Sequence, residues 1–298
     1  MYVITVRPKA GELDALSLIP YDYQQHVIPN FTITDIKEVK KVVNKYYNPL
    51  WLDIRKLQNF SELPYIEQFI KEEANYKDIK IVYPLSHVVT HSINSNHCVR
   101  ITFQELSNNY SWNKNTLNKL PNNILIDLNY ITKKSYQTMI PDTSTFINML
   151  NNKNIIISSG SIPKILGVDQ NTNFNQRRYE KLLFQQLSRK SSKDIIYGDY
   201  GIISPEQTDI NIPRAIVQLK YTQKENYLFV RNGARTGNYD IKSVAQELTS
   251  LPDFNEEHCQ GEKNIVEISH GMKLGNTTNW LTYGMNHHII LCIEENLK

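Results

Sequence analysis

Glycine supplies only 11 of the 298 residues and cysteine only 3, and each shortage excludes something. Cys98, Cys259 and Cys292 are far apart and odd in number, with no CxxC pair and no Cys/His spacing of a zinc motif, so no disulfide framework is indicated. A reduced, cytoplasmic setting is the expectation. The glycines fall nowhere into GxGxxG or a Walker loop, and RPKAGE after the first apolar run holds just one. There is no GxSxG elbow, no HExxH, and no HxE joined to a CxxC. Dinucleotide binding, serine hydrolysis, zinc proteolysis and deamination thus lose their usual signatures.

Long apolar runs are missing too. No stretch of about 18 apolar residues occurs, which argues against a spanning helix. The opening MYVITVRPKAGE lacks the basic and apolar regions of a secretion signal. Charge of one sign is equally scarce, with 33 Lys and Arg against 30 Asp and Glu. A net charge of +3 gives nucleic acid little to hold. The densest basic group, Lys37, Lys40, Lys41 and Lys45, sits on one predicted helix and reads as a solvated face.

What the chain does have is a recurring unit. Short runs rich in Ile, Val and Leu stand at Tyr2–Val6, Val27–Ile33, Leu50–Ile54, Ile79–Pro84, Cys98–Thr102, Ile124–Leu128, Asn154–Ser158 and Ile195–Tyr197. Each has the length of a buried parallel strand. Between them lie segments of helical periodicity, such as Thr34–Tyr47 behind a Thr34 cap and Ser61–Tyr76 behind a Ser61 cap. Eight strands alternating with helices predict a TIM-like (β/α)₈ barrel, an α/β fold. An open doubly wound sheet is the rival, weakened by the absent glycine-rich turn. One domain over residues 1–298 is expected, with eight strand–helix units in 1–205. The rest, 206–298, reads as a hairpin (Ala215–Thr222 with Tyr227–Arg231), a helix over Ile241–Leu251, a surface loop over Asp253–Asn264 and a final helix over Asn276–Leu297 packed on the barrel.

Several runs stop at a charge: Lys9 and Glu12 after the first, then Asp53, Arg100, Asp127, and Asp199 followed by Tyr200. Barrel strands bring their C-terminal ends together, and a buried charge needs a partner or a ligand. A polar cup follows, with Glu12, Asp53, Asp127 and Asp199 as candidate catalytic groups or ligands of a divalent cation such as Mg²⁺. Lys9 and Arg100 would meet an anion, and Ser159 and Ser161 in SSGSIP could add phosphate contacts. The competing reading is a structural ion network in which Arg100 pairs with Asp53 or Asp127. His287 and His288, adjacent on a predicted helix, should diverge, one reaching inward near Asp199 or Glu12 and the other nearer solvent.

VRPKAGELDAL, LWLD, ILIDL, SSGSIP, YGDYGIISPE, LKYT with FVRNG, and the closing SHG, NW and YGMNHH occur in this order over nearly the whole chain. Together they resemble the phage-satellite "beta" protein family. The resemblance implies a barrel-like fold and a role in phage–host conflict, as antiphage defence or immunity, with no reaction implied. It marks Lys9, Glu12, Asp53, Arg100, Asp127, Asp199, Tyr200, Tyr221, Arg231, Trp280, His287 and His288. The chain departs from the pattern after Ser269, where His270–Gly271 stands in place of Gly-Asp. Two functions fit these residues. One is a rim pocket for a phosphorylated or other anionic ligand; the other is a non-enzymatic module binding a partner protein from a phage or defence system.

Overall fold

The computed structural model describes residues 1–73, 77–109, 112–206, 216–234 and 240–297. Eight parallel strands close into a barrel in chain order: β1 (Tyr2–Val6), β2 (Val27–Thr32), β3 (Leu50–Asp53), β4 (Ile79–Pro84), β5 (Cys98–Thr102), β6 (Asn123–Tyr130), β7 (Asn154–Gly160) and β9 (Ile195–Asp199). β1 pairs with both β2 and β9, which completes the ring. The predicted (β/α)₈ architecture is thus the observed one. β8 (Phe174–Arg177), between β7 and β9 in sequence, leaves the barrel and joins a three-stranded antiparallel sheet with β10 (Ile216–Thr222) and β11 (Asn226–Ala234). The sequence reading missed β8 because FNQR carries no apolar run.

The helices are α1 (Ala10–Ser17), α2 (Tyr21–Gln24), α3 (Ile36–Lys45), α4 (Leu63–Glu73), α5 (Leu85–Thr90), α6 (Lys114–Lys119), α7 (Ser135–Met149), α8 (Tyr179–Lys190), α9 (Ile241–Thr249), α10 (Gln260–Ser269) and α11 (Thr277–Leu297). α3 shows how local chemistry places them. Val39, Val42 and Val43 form its buried stripe, and the lysines lie off it. Its cap is Asp35, which accepts from the Glu38 N–H at 2.9 Å, and not the expected Thr34. Thr34 instead donates to the Glu38 carboxylate through both its N–H and its hydroxyl. The expected Ser61 cap is likewise displaced: Asn59 caps a 3₁₀ turn over Phe60–Glu62 and α4 starts after it. Of the segment expected to continue as helix, residues 74–76 lie outside the described ones, as does Ala215 at the expected start of the hairpin.

The chain forms two compact units: residues 1–8, 24–160 and 179–200, then residues 9–23, 161–178 and 201–298. Segments 9–23 and 161–178 are recruited to the second unit by pairings distant in sequence. β8 pairs with β11, and Thr282 and Asn286 on α11 donate to the Gly11 and Ala15 carbonyls of α1. The first unit carries an apolar plug inside the barrel, Val3, Trp51, Val82, Cys98, Leu125 and Ile156. The second has its own core, built on Val217, Leu219, Val244, Leu248, Ile265, Ile268 and Trp280.

α11 is buried all round over Thr282–Ile290, so it is the central helix of the second unit. Part of the expected loop at Asp253–Asn264 is in fact the first turn of α10, whose Gly261 lies against the Tyr283 carbonyl of α11. Cys98, Cys259 and Cys292 are all buried, and none of them is in a disulfide. Among the described residues no helix is long and apolar enough to cross a membrane.

Gly284 tests the tightness of α11. Any Cβ there would strike the Lys220 carbonyl of β10 and come within 3.0 Å of Ile202 Cδ1. In an open helix Gly→Ala stabilises by about 1 kcal/mol; here overpacking against backbone outweighs it. Gly284→Ala is expected to destabilise the protein by about 1–3 kcal/mol, measured by urea unfolding.

Candidate functional site

Inside a barrel, strand residues two apart share a face, and the plug residues fix which face is inward. Two positions on from Val3, Trp51, Cys98, Leu125 and Ile156 stand Thr5, Asp53, Arg100, Asp127 and Ser158. The polar layer therefore sits directly above the apolar one, at the C-terminal end. Asp53, at the end of β3, accepts the Arg55 N–H at 2.9 Å and caps the 3₁₀ turn over Ile54–Lys56. That cap bends the chain so that the Arg55 side chain returns over the barrel.

Arg55 then becomes the hub of the site. Its Nη1 donates to Asp127 Oδ2 at 2.7 Å and to the Tyr200 hydroxyl at 3.0 Å, and Nη2 donates to Thr32 Oγ1 at 3.1 Å. Its Nε lies 2.9 Å from Asp53 Oδ2, an ion pair whose angle is too poor for a hydrogen bond. From β5, Arg100 Nη1 donates to the same Asp127 oxygen at 3.1 Å. The Tyr200 hydroxyl meets Asp127 at 2.7 Å, and the Asn129 N–H donates to Oδ1 at 2.9 Å. Asn129 adopts φ 55° just past a register shift in β6, which turns its N–H back toward the carboxylate.

Electrostatics follow from this crowding. Burial alone would raise the Asp127 pKa, but Arg55, Arg100, Tyr200 and the Asn129 N–H together hold it below the usual carboxylate value. Burial alone would lower the Arg55 pKa; Asp53, Tyr200 and Asp127 outweigh it and raise it. Burial pushes Tyr200 upward, with Arg55 opposing and Asp127 adding to the rise. Two aspartates and two arginines cancel in formal charge. The Asp53 and Asp127 side chains are 1% and 2% exposed, whereas Arg55 and Arg100 are 15% and 16% exposed. The guanidinium groups are thus the part of the network that keeps some exposure, and the carboxylates are almost wholly enclosed.

Of the sequence-predicted residues, Asp53, Arg100, Asp127 and Tyr200 meet here. Asp199 does not. It follows Gly198, so it shares the helix-facing side of β9 with Tyr197, and it accepts the hydroxyls of Tyr2 at 2.5 Å and Tyr197 at 3.1 Å. Phe184 of α8 stands edge-on to Tyr197 on that side. Ser159 is turned away from the interior by the same alternation, and Ser158 takes its place. With Asp199 outside and the other two aspartates engaged by arginines, the proposed carboxylate cage for Mg²⁺ does not assemble from these three.

The remaining candidates belong to the second unit. Lys9 is exposed at the start of α1, and Glu12 is buried within that helix. Ser161 donates to the Arg177 carbonyl at 3.1 Å. Arg231 is nearly buried and donates to the carbonyls of Asp169 and Thr172, an anchor for that loop. Trp280 is a core residue whose indole donates to the Leu274 carbonyl.

His287 and His288 correct the expectation of one inward and one solvent-facing ring. Both are buried and both meet Thr222: His287 Nε2 at the carbonyl (2.7 Å), His288 Nδ1 at the hydroxyl (2.9 Å). A helix enclosed on all sides has no solvent face to offer. Sequence reasoning missed Arg55, Thr32 and Asn30. The available signal was the Asp-x-Arg step in LWLDIRK, a capping residue followed by a cation.

Asp127 is the group whose loss should be felt most. Asp127→Asn leaves two guanidinium groups sharing one aspartate and is expected to cost about 3–5 kcal/mol. A carboxylate with a depressed folded pKa adds stability that is full above its unfolded value, about 3.9, and lost as pH falls through the folded one. Denaturant melts taken from pH 6 down to well below about 3.9 should show a steeper acid decline in wild type than in Asp127→Asn, the difference opening only in the acid part of the range.

The barrel and its charged mouth can be set beside known proteins. Nothing among curated proteins matches the chain. One family model, described as Beta protein, matches residues 2–293, which takes in every element from β1 into α11. The chain is therefore a member of the Beta protein family.

Proposed function

We propose that the barrel mouth binds a small anionic ligand, phosphate- or carboxylate-bearing, through Arg55 and Arg100, and that the protein serves in phage–host conflict. The observation that carries the first part is the set of unsatisfied polar atoms in the polar layer of the barrel. Ser158 Oγ, Asn30 Oδ1 and Arg100 Nε are buried without a hydrogen-bond partner, Arg100 Nε lying 4.0 Å from Asp53 Oδ2. Each such group costs about 1–3 kcal/mol when left unmade, so the layer is built to be completed by something polar. Guanidinium groups matched to an oxyanion are the strong element of such a completion. Ser158 can donate beside them, and Asn30 Oδ1 can accept from a ligand hydroxyl.

The electrostatics favour binding over proton transfer. Asp127 is held ionised and Tyr200 held protonated, so neither is tuned toward neutral pH as a general acid or base would be. The setting in phage–host conflict rests on the resemblance to phage-satellite proteins.

Ligand-induced thermal shifts test the reading, with inorganic phosphate, sugar phosphates, nucleotides and small carboxylates as probes. At about 100 times its Kd a ligand adds about 2.7 kcal/mol of stability. At least one probe is expected to stabilise wild type, with affinity reduced about tenfold or more in Arg100→Ala. In Asp199→Asn, on the other side of the strand, the response should persist. No response in wild type, or an equal one in Arg100→Ala, overturns the ligand reading in favour of a partner-binding module.

A further inference from the structure

The second unit holds a polar cluster that the barrel site does not involve. His258 precedes α10, Cys259 is its N-cap, Glu262 lies in its first turn, and His287 projects from α11. One ligand-type atom from each of the four lies within 4.8 Å of the others. His258 Nδ1 is 2.8 Å from Glu262 Oε2 and 3.3 Å from His287 Nδ1, and His287 Nδ1 is 3.3 Å from the same carboxylate oxygen. Glu262, Cys259 and His287 are buried, and His258 is largely so.

A backbone carbonyl can only accept, so His287 Nε2, 2.7 Å from the Thr222 carbonyl, carries its proton. His258 Nε2 faces Glu294 Oε2 at 3.2 Å and donates to that carboxylate. In neutral rings the two Nδ1 atoms are then bare lone pairs. Two lone pairs and a carboxylate oxygen converge on one point, which repels unless a proton or a metal ion lies among them.

We propose that His258, Cys259, Glu262 and His287 bind a zinc-class divalent ion. Two imidazoles, a thiolate and a carboxylate suit a borderline-soft ion. With Zn–N near 2.0–2.1 Å and Zn–S near 2.3 Å, tetrahedral ligand atoms stand about 3.5 Å apart, near two 3.3 Å spacings here, while the 2.8 Å His258–Glu262 contact would have to open on binding. The surrounding shell is in place as well. The Thr222 carbonyl and Glu294 orient the two rings, and Tyr221 donates to Glu262 Oε1 at 2.9 Å, leaving Oε2 for the metal. Four protein ligands with no open position describe a structural site, a clamp between the start of α10 and the middle of α11. Binding would release the Cys259 thiol proton to solvent.

Metal analysis of the full chain, purified without chelators or a histidine tag, gives the first result: one zinc per chain is expected. Chelator-treated protein titrated with Zn²⁺ should gain thermal stability. With Co²⁺ it should show the visible bands of a tetrahedral ion and a near-ultraviolet thiolate charge-transfer band. Cys259→Ser and His258→Gln keep size and hydrogen bonding; Cys259→Ser should abolish the thiolate band, and each should weaken Zn²⁺ at least about 100-fold. Glu294→Gln, acting through the ring, should weaken it about 10–100-fold. Wild type that takes up no zinc, or whose uptake ignores these substitutions, overturns the site and assigns the cluster to a proton shared between His258 and Glu262. A tetrahedral cobalt spectrum without the thiolate band overturns the four-ligand assignment. Should a variant fail to fold, the wild-type stoichiometry and cobalt spectrum still decide.

Discussion

The buried carboxylate of Asp127 is the constraint on which the barrel interior depends. A charge in that position is tolerable only when several donors converge on it, and four do: Arg55, Arg100, Tyr200 and the Asn129 N–H. They come from the turn after β3, from β5, from the end of β9 and from β6 itself. Closing the barrel is what brings these places within hydrogen-bond reach. The apolar plug below, with Trp51 and Cys98, excludes water from the same interior and makes the charge pairing stronger.

That arrangement also sets the chemical character of the mouth. The guanidinium groups keep some exposure where the carboxylates keep almost none, so solvent reaches guanidinium first. A neutral total charge gives no long-range attraction, so selectivity would come from contact geometry. Membership in the Beta protein family covers the whole architecture and leaves the chemistry to these residues.

The second unit solves a similar problem with histidine. α11 is enclosed by α1, α10 and β10, so its polar residues must find partners inside. Asn286 accepts from the Gly261 N–H and donates to Ala15, while Thr222 serves both adjacent histidines through its carbonyl and its hydroxyl. Glycine at 261 and 284 admits neighbouring backbone where a side chain would block it.

The strand–helix period, the eight barrel strands and the charged strand ends were legible in the amino-acid sequence, because parallel strands must be apolar on both faces and crossovers need a helix's length. Asp53, Arg100, Asp127 and Tyr200 were legible for the same reason: each breaks an apolar run where a barrel gathers its strand ends. Asp199 looked identical in sequence, yet a one-residue difference in alternation turned it to the helix side. Arg55 lay past the strand, and only the Asp53-capped turn returns it to the centre. The recruitment of residues 9–23 and 161–178 into the second unit, and the meeting of His258, Glu262 and His287, rest on contacts between distant segments. Local periodicity carries no record of such contacts, so tertiary structure alone decided them.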